Sequence, residues 1–139
     1  MYLLDTNVIS ELRPGKSQPS MQVFAWAAKQ QNQQTYLTAV TLLELEIGIQ
    51  RLEARTPAQG QAMRRWLEQI KATYASRILP FTAKTAPICA KLHVPHPRAE
   101  RDAMIAAVAL EHRFSVVTRN SHDFEGTGVV LINPWLPGA

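Results

Sequence analysis

One cysteine, Cys89, stands in 139 residues, so no disulfide can close within the chain. A lone thiol of this kind reads as a small buried hydrophobe, and a fold that forgoes disulfides is expected in the cytoplasm. No apolar run approaches the roughly 20 residues that span a bilayer, and the first residues lack the basic and long apolar regions of a secretory signal. No block of five basic residues occurs, which excludes a basic tail. Internal repeats and low-complexity segments are also missing. Aromatic residues are few, and Trp26, Trp66 and Trp135 read as packing or dimer-contact groups rather than stacking platforms for bases.

What is present describes one globular domain over residues 1–139, because a chain of this length buries a real core. Fifteen basic residues against eleven acidic ones leave a net charge of +4. That balance favours anionic partners, nucleic acid first. The excess is spread along the chain, and most of the basic residues taken singly read as solvated helix faces.

Hydrophobic periodicity predicts alternating strands and helices. Residues 1–5, 35–38, 77–80, 114–118 and 129–132 read as extended. Residues 6–12, 18–31, 40–52, 57–74, 85–92 and 100–112 read as helical, with Pro57 suited to a first turn. The two prolines of 93–98 demand a loop. Strands alternating with helices imply a three-layer α/β/α sandwich with a mostly parallel central sheet.

Four carboxylates occupy unusual places. The apolar run Tyr2-Leu3-Leu4 ends abruptly in Asp5, at the edge of a parallel sheet where ligands bind. An aspartate there serves equally as the N-cap of the next helix. Glu44 interrupts the apolar stretch Thr41-Leu42-Leu43-Glu44-Leu45, with Gly48 one turn later leaving open space. Asp102 opens an alanine-rich helix, where it would also complement the helix dipole. Asp123 follows the strand ending at Thr118, where an Asx turn is the alternative. Glu11 and Glu46 read as ordinary exposed charges.

If the sheet is parallel, these four acids converge. Two carboxylates about 4 Å apart repel by roughly 4 kcal/mol at an effective dielectric near 20. Four in one pocket therefore call for a cation, and oxygen ligands suit Mg²⁺ or Mn²⁺. Such an ion polarises a phosphodiester and activates water. Thr6, Asn7, Thr118 and Asn120 add neutral oxygens and donors at the same edge, unless they serve only as caps and turn formers. Arg119 and Arg101 are candidates to hold a nucleic-acid backbone, or to pair with an acid.

Other signals fall away. Gly15-Lys16-Ser17 resembles the end of a P-loop, but Ser10 stands where the pattern needs glycine. Cys89, His93 and His96 have a loose zinc-like spacing without a second cysteine. His122 reads as a surface turn residue. A phosphoacceptor domain would need a lysine at the end of a late strand, and Val129 to Asn133 offers none.

Four segments together resemble the PIN-domain family, in its VapC and FitB branch. They are Leu3-Leu4-Asp5-Thr6-Asn7, Thr41-Leu42-Leu43-Glu44-Leu45-Glu46, Arg101-Asp102-Ala103-Met104, and Thr118-Arg119-Asn120-Ser121-His122-Asp123. The ending Gly128 to Trp135 is similar to the same branch. The resemblance implies a metal-dependent ribonuclease, the toxin of a type II toxin–antitoxin pair. It makes Asp5, Glu44, Asp102 and Asp123 the catalytic, Mg²⁺- or Mn²⁺-binding acids, and Thr118 and Asn120 the polar positions beside them. It further implies a homodimer, restrained by an antitoxin whose C-terminal segment lies across the pocket, with operator DNA bound through that antitoxin. Thr82 departs from the pattern, since many relatives carry an aspartate after the preceding strand. A DNA nuclease with the same chemistry and a non-catalytic binding module are the alternatives.

Overall fold

The strand Tyr2–Leu4 (β1) alternates its side chains between two layers, and that alternation organises the molecule. In this computed structural model, which describes all of residues 1–139, Leu3 and Leu4 are both buried but in different clusters. Leu4 joins Leu37 and Val117 against the helices Thr6–Glu11 (α1), Met21–Ala28 (α2), Ala39–Arg55 (α3) and Pro57–Thr73 (α4). Leu3 joins Val116 against Glu100–His112 (α6), which packs on Thr85–Leu92 (α5). This is the period-2 alternation of a strand buried on both faces. The alanine content of α6 has the expected purpose: Ala103, Ala106, Ala107 and Ala109 are buried and bring the helix close to its neighbours.

The remaining strands are Thr35–Thr38 (β2), Ile78–Leu79 (β3), Ser115–Val117 (β4) and Leu131–Ile132 (β5). All pairings are parallel, in the order β3-β2-β1-β4-β5. The three-layer α/β/α expectation holds, and the sheet is parallel throughout. Two short 3-10 turns, Asn32–Gln34 and Ser121–Phe124, were not foreseen.

Element ends differ where polar side chains intervene. The second helix begins at Met21 rather than 18 because Ser20 caps it, its hydroxyl accepting the Val23 N–H at 3.3 Å. Glu11 in turn accepts the Ser20 N–H at 2.7 Å and pairs with Lys16 at 3.2 Å. Glu11 is therefore no ordinary exposed charge: it is 5 % exposed. Hydrogen bonding from Ser20 holds its carboxyl below the usual range. Glu46 is also committed rather than free, taking both oxygens to Arg64 at 2.7 and 2.8 Å while the same guanidinium reaches Glu53 at 2.9 Å. This fork ties α3 to α4. Two further arginines do not decorate solvated helix faces. Arg77 donates to the carbonyls of Asn32, Thr35 and Thr73. Arg98 donates to those of Leu92 and Glu125.

The hairpin of α3 and α4 depends on Gly60. A Cβ there would meet the Glu53 backbone Cα at 2.6 Å. Backbone cannot swing aside, so overpacking of about 3 kcal/mol outweighs the roughly 1 kcal/mol of helix propensity that alanine brings. Gly48 has nothing within 4 Å of its would-be Cβ. Gly60→Ala is expected to lower Tm by roughly 6–8 °C, and Gly48→Ala to raise it by a few degrees. Thermal melts of the two variants check both signs.

Candidate active site

The strand order reverses direction between β1 and β4, since the chain builds outward from β1 through β2 and β3 and then returns to β1's other side. Crossovers on the two sides diverge at such a point and leave a crevice at the strand C-termini. Asp5 follows β1 and Thr118 follows β4, so both border that crevice. The Asp5 N–H donates to the Val117 carbonyl at 2.9 Å, which fixes the two strand ends side by side.

Asp5 is both a cap and a buried charge. One carboxylate oxygen accepts the Thr6 N–H at 2.8 Å. The other accepts the Thr118 hydroxyl at 2.7 Å and lies 3.4 Å from the Asn7 amide nitrogen. Asp5 is 5 % exposed and Thr118 fully buried. Burial raises the Asp5 pKa, against the lowering effect of Thr118 and Thr6 and reinforced by Glu44 and Asp123.

Glu44 reaches the crevice from α3. Its Oε1 accepts the Thr6 hydroxyl at 2.7 Å, and its Oε2 lies 4.0 Å from an Arg101 nitrogen. Thr41 stands behind this contact, 3.3 Å from both the Thr6 and Thr38 hydroxyls. Asp102 sits in the first turn of α6. A helix N-terminus ordinarily favours a carboxylate. Here desolvation first, then the charges of Asp5, Asp123 and Glu44, push its pKa up to about 6, and Arg101 offsets only part of this. Asp123 lies in the 3-10 turn Ser121–Phe124, exposed, its N–H held by the Asn120 carbonyl at 2.9 Å. The charges of Glu44 and Asp123 thus act on both Asp5 and Asp102, and that of Asp5 on Asp102, across four separated segments.

The neutral residues divide. Thr6 and Thr118 bond acids directly, whereas the Asn120 N–H donates to the Thr118 hydroxyl at 3.0 Å. The Arg119 N–H donates to the Asn7 Oδ1 at 3.2 Å, while its guanidinium lies 5.3 Å over the Trp135 ring. Arg101 takes the pairing alternative, weakly, with Glu44. Thr41 and Thr38 were not singled out, because hydroxyl partners on different elements leave no periodic mark in a sequence. His122 is a surface residue beside Glu125, and Cys89 packs in the core. Trp26 and Trp66 are buried core members. Thr82 bonds only within the start of α5, through the Thr85 hydroxyl and the Lys84 N–H.

No three His, Cys, Asp or Glu side chains are grouped closely enough to grip one ion together. The donor set nevertheless fits a hard divalent cation. All four groups are oxygen donors, and their mutual repulsion has one guanidinium to offset it at 4.0 Å. Mg²⁺ takes one or two carboxylates directly and keeps waters for the rest of its shell, so acids spaced beyond direct contact remain useful to it. A cavity of about 430 Å³ opens here, lined by Glu44, Ala99, Glu100, Arg101 and Asp102. A larger cavity, about 540 Å³, lies elsewhere, beside β5 and the chain end, and contains none of the acids.

The profile of the PIN domain matches residues 2–129. The chain is 37 % identical to the VapC ribonuclease Y4jK of Sinorhizobium fredii, over 99 % of each protein. It is 38 % identical to the toxin FitB of Neisseria gonorrhoeae, over 97 % of this chain and 99 % of that one. The solved structure of FitAB bound to the IR36 DNA fragment superposes with a TM-score of 0.81 at 35 % identity, covering 98 % of this chain and 96 % of that one.

Proposed function

The chain belongs to the PIN-domain family, and on that premise we propose that it is a metal-dependent endoribonuclease acting as the toxin of a type II toxin–antitoxin pair. The observation that carries the chemistry is the electrostatic convergence of Asp5, Glu44, Asp102 and Asp123 at the β1–β4 crevice. The names of the relatives support the choice of RNA and the toxin role.

When bound, Mg²⁺ or Mn²⁺ would polarise the scissile phosphate and favour deprotonation of an attacking water. Asp5 and Asp102, with Glu44 and Asp123, would hold it. Thr118 and Thr6 aim the carboxylates: the Thr118 hydroxyl and the Thr6 N–H fix the two oxygens of Asp5, and the Thr6 hydroxyl fixes one oxygen of Glu44. In the same reading Thr6, Thr118, Asn120 and Arg119 would orient the RNA. Asp102, whose pKa burial and the neighbouring acids push up to about 6, must be ionised to serve the ion.

An antitoxin is the natural restraint on such an enzyme, and the likeness to FitAB on DNA supports a partner protein that carries the complex to an operator. A homodimer belongs to the same reading. No helix of the chain is long and apolar enough to cross a membrane, and a cytoplasmic location belongs to the same proposal.

The test is cleavage of a single-stranded RNA by the purified chain with Mn²⁺ or Mg²⁺, with and without excess EDTA. Cleavage that EDTA abolishes supports the proposal. Metal binding without cleavage of RNA or DNA would instead indicate a non-catalytic module, and preferential cutting of DNA a deoxyribonuclease.

A further inference from the structure

One basic side chain beside the crevice has no hydrogen-bonded or ion-paired partner in the protein. Lys16 pairs with Glu11 at 3.2 Å, and Arg101 faces Glu44 at 4.0 Å. Arg13 donates to the Met63 sulfur at 3.2 Å. The Arg119 guanidinium has neither a carboxylate nor a carbonyl partner and rests instead on the indole of Trp135, 5.3 Å from its ring centroid. Its positive charge is felt at Glu11.

Its backbone is held unusually well for an exposed residue. The Arg119 N–H is bound by Asn7 at 3.2 Å, and its carbonyl by the Asn133 amide at 3.2 Å. Asn133 also accepts the Trp135 N–H at 3.0 Å, so the same side chain sets both the arginine and its platform. Asn7 lies 3.4 Å from the Asp5 carboxylate, and the preceding residue, Thr118, bonds Asp5 directly. A cation–π contact uses no N–H acceptor, so the guanidinium keeps its donors for a planar or tetrahedral anion. An arginine with a fixed backbone and no acceptor in the protein, beside a metal-type acid cluster, is suited to hold one phosphate in register.

We propose that Arg119, steadied on Trp135, binds the phosphate of single-stranded RNA next to the one being cleaved, with Trp135 as its positioning residue. This deepens the nuclease reading and rests on it. Arg119 lies on the α1 side of the crevice through Asn7, and Arg101 on the α6 side, so the strand would cross the acids between two guanidinium groups. The ring of Trp135 is half-buried against the cluster that includes α1 and α2, which keeps the platform rigid.

The test uses a fluorescent twelve-nucleotide single-stranded RNA. Its dissociation constant is measured in EDTA across a salt series, and its cleavage in Mn²⁺ is followed separately. Each phosphate contact on a single strand contributes about 0.7 to the slope of log affinity against log salt. Arg119→Ala is expected to reduce that slope by about 0.7 and to raise KM several-fold with kcat within about twofold. Arg119→Lys should restore the slope, since the charge returns. Trp135→Leu keeps the charge and should weaken binding at every salt concentration without changing the slope. If Trp135→Leu fails to fold, the two Arg119 variants decide alone, because that side chain has no hydrogen-bonded partner in the protein. An unchanged slope in Arg119→Ala, or a loss confined to kcat, overturns the proposal. Absence of cleavage by the parent overturns the nuclease reading, whereas the slope still decides whether Arg119 holds a phosphate. A parent that neither binds nor cuts the RNA overturns both.

Discussion

Asp5→Asn is expected to reduce RNA cleavage about a thousandfold in saturating Mn²⁺, with a Tm at least equal to the parent's. The activity loss follows from charge. A bound cation supplies several kcal/mol of transition-state stabilisation, and each 1.36 kcal/mol is a factor of ten in rate. Asp5 is the most buried of the four acids and lies at the end of the central strand, so an amide here removes both a ligand and the charge that draws the ion in. The fold should survive for an equally local reason. Asparagine keeps the shape of the side chain and the oxygen that accepts the Thr6 N–H at 2.8 Å. On the other side its amide would face Thr118, whose hydroxyl can rotate to accept where it now donates at 2.7 Å. Burial works against the ionised carboxyl of Asp5, and a neutral group escapes that cost. Stability and activity therefore move in opposite directions, as is common where charges are crowded for function. Single-turnover cleavage and melts in EDTA measure the two halves. Cleavage equal to the parent's would show that Asp5 is only a helix cap.

The dual nature of Asp5 also shows how far sequence reasoning reaches. An apolar triplet stopped by an acid is legible as a strand end, and the run Thr35–Thr38 and the helices at 85–92 and 100–112 are recovered residue for residue. Burial on both faces produces continuous apolar runs, which are strong local signals. The four acids stand out for different reasons: Asp5 and Glu44 break apolar runs, whereas Asp102 and Asp123 stand out by position, at a helix start and after a strand. What escaped were pairings that close across the fold. Nothing near Glu11 announces that residues 13–20 fold back so that the Ser20 N–H finds its carboxylate. Nothing near Thr41 announces that its hydroxyl lies beside Thr6 and Thr38. Arg77 and Arg98 look like surface charges because their carbonyl partners lie in other segments. The same limit applies to Trp135, whose place beneath Arg119 is set by an asparagine two residues earlier. Periodicity reports which side of an element is apolar. It carries no record of which polar atoms meet.

Crowded acids make a second strong expectation, that divalent metal and pH act on stability through the same groups. In EDTA, Asp102 titrates near 6 in the folded chain against an ordinary 3.8. Between those values the folded state holds more protons than the unfolded one, so stability falls as pH rises through the window and the contribution is gone by neutrality. Asp5 is shifted in the same direction. Glu11, Glu46 and Glu53 are shifted the other way from 4.5, so their contribution is present above that value and is lost in acid below it. The metal-free chain should accordingly be most stable near pH 4.5 and lose stability from there to about pH 6. Mn²⁺ or Mg²⁺ should reverse the trend at pH 7.5, because a cation that binds only the folded state at a hundred times its Kd adds about 2.7 kcal/mol. For a chain of this size that is a rise in Tm of roughly 8–11 °C. The gain should fade as pH drops through 6, where Asp102 must shed a proton before it can serve as a ligand. Calorimetric melts from pH 4 to 8, with Mn²⁺ and with EDTA, resolve both curves. Parallel curves, with no metal-dependent gain near neutrality, would mean that the acids repel one another without recruiting an ion, and the catalytic reading of the crevice would lose its physical basis.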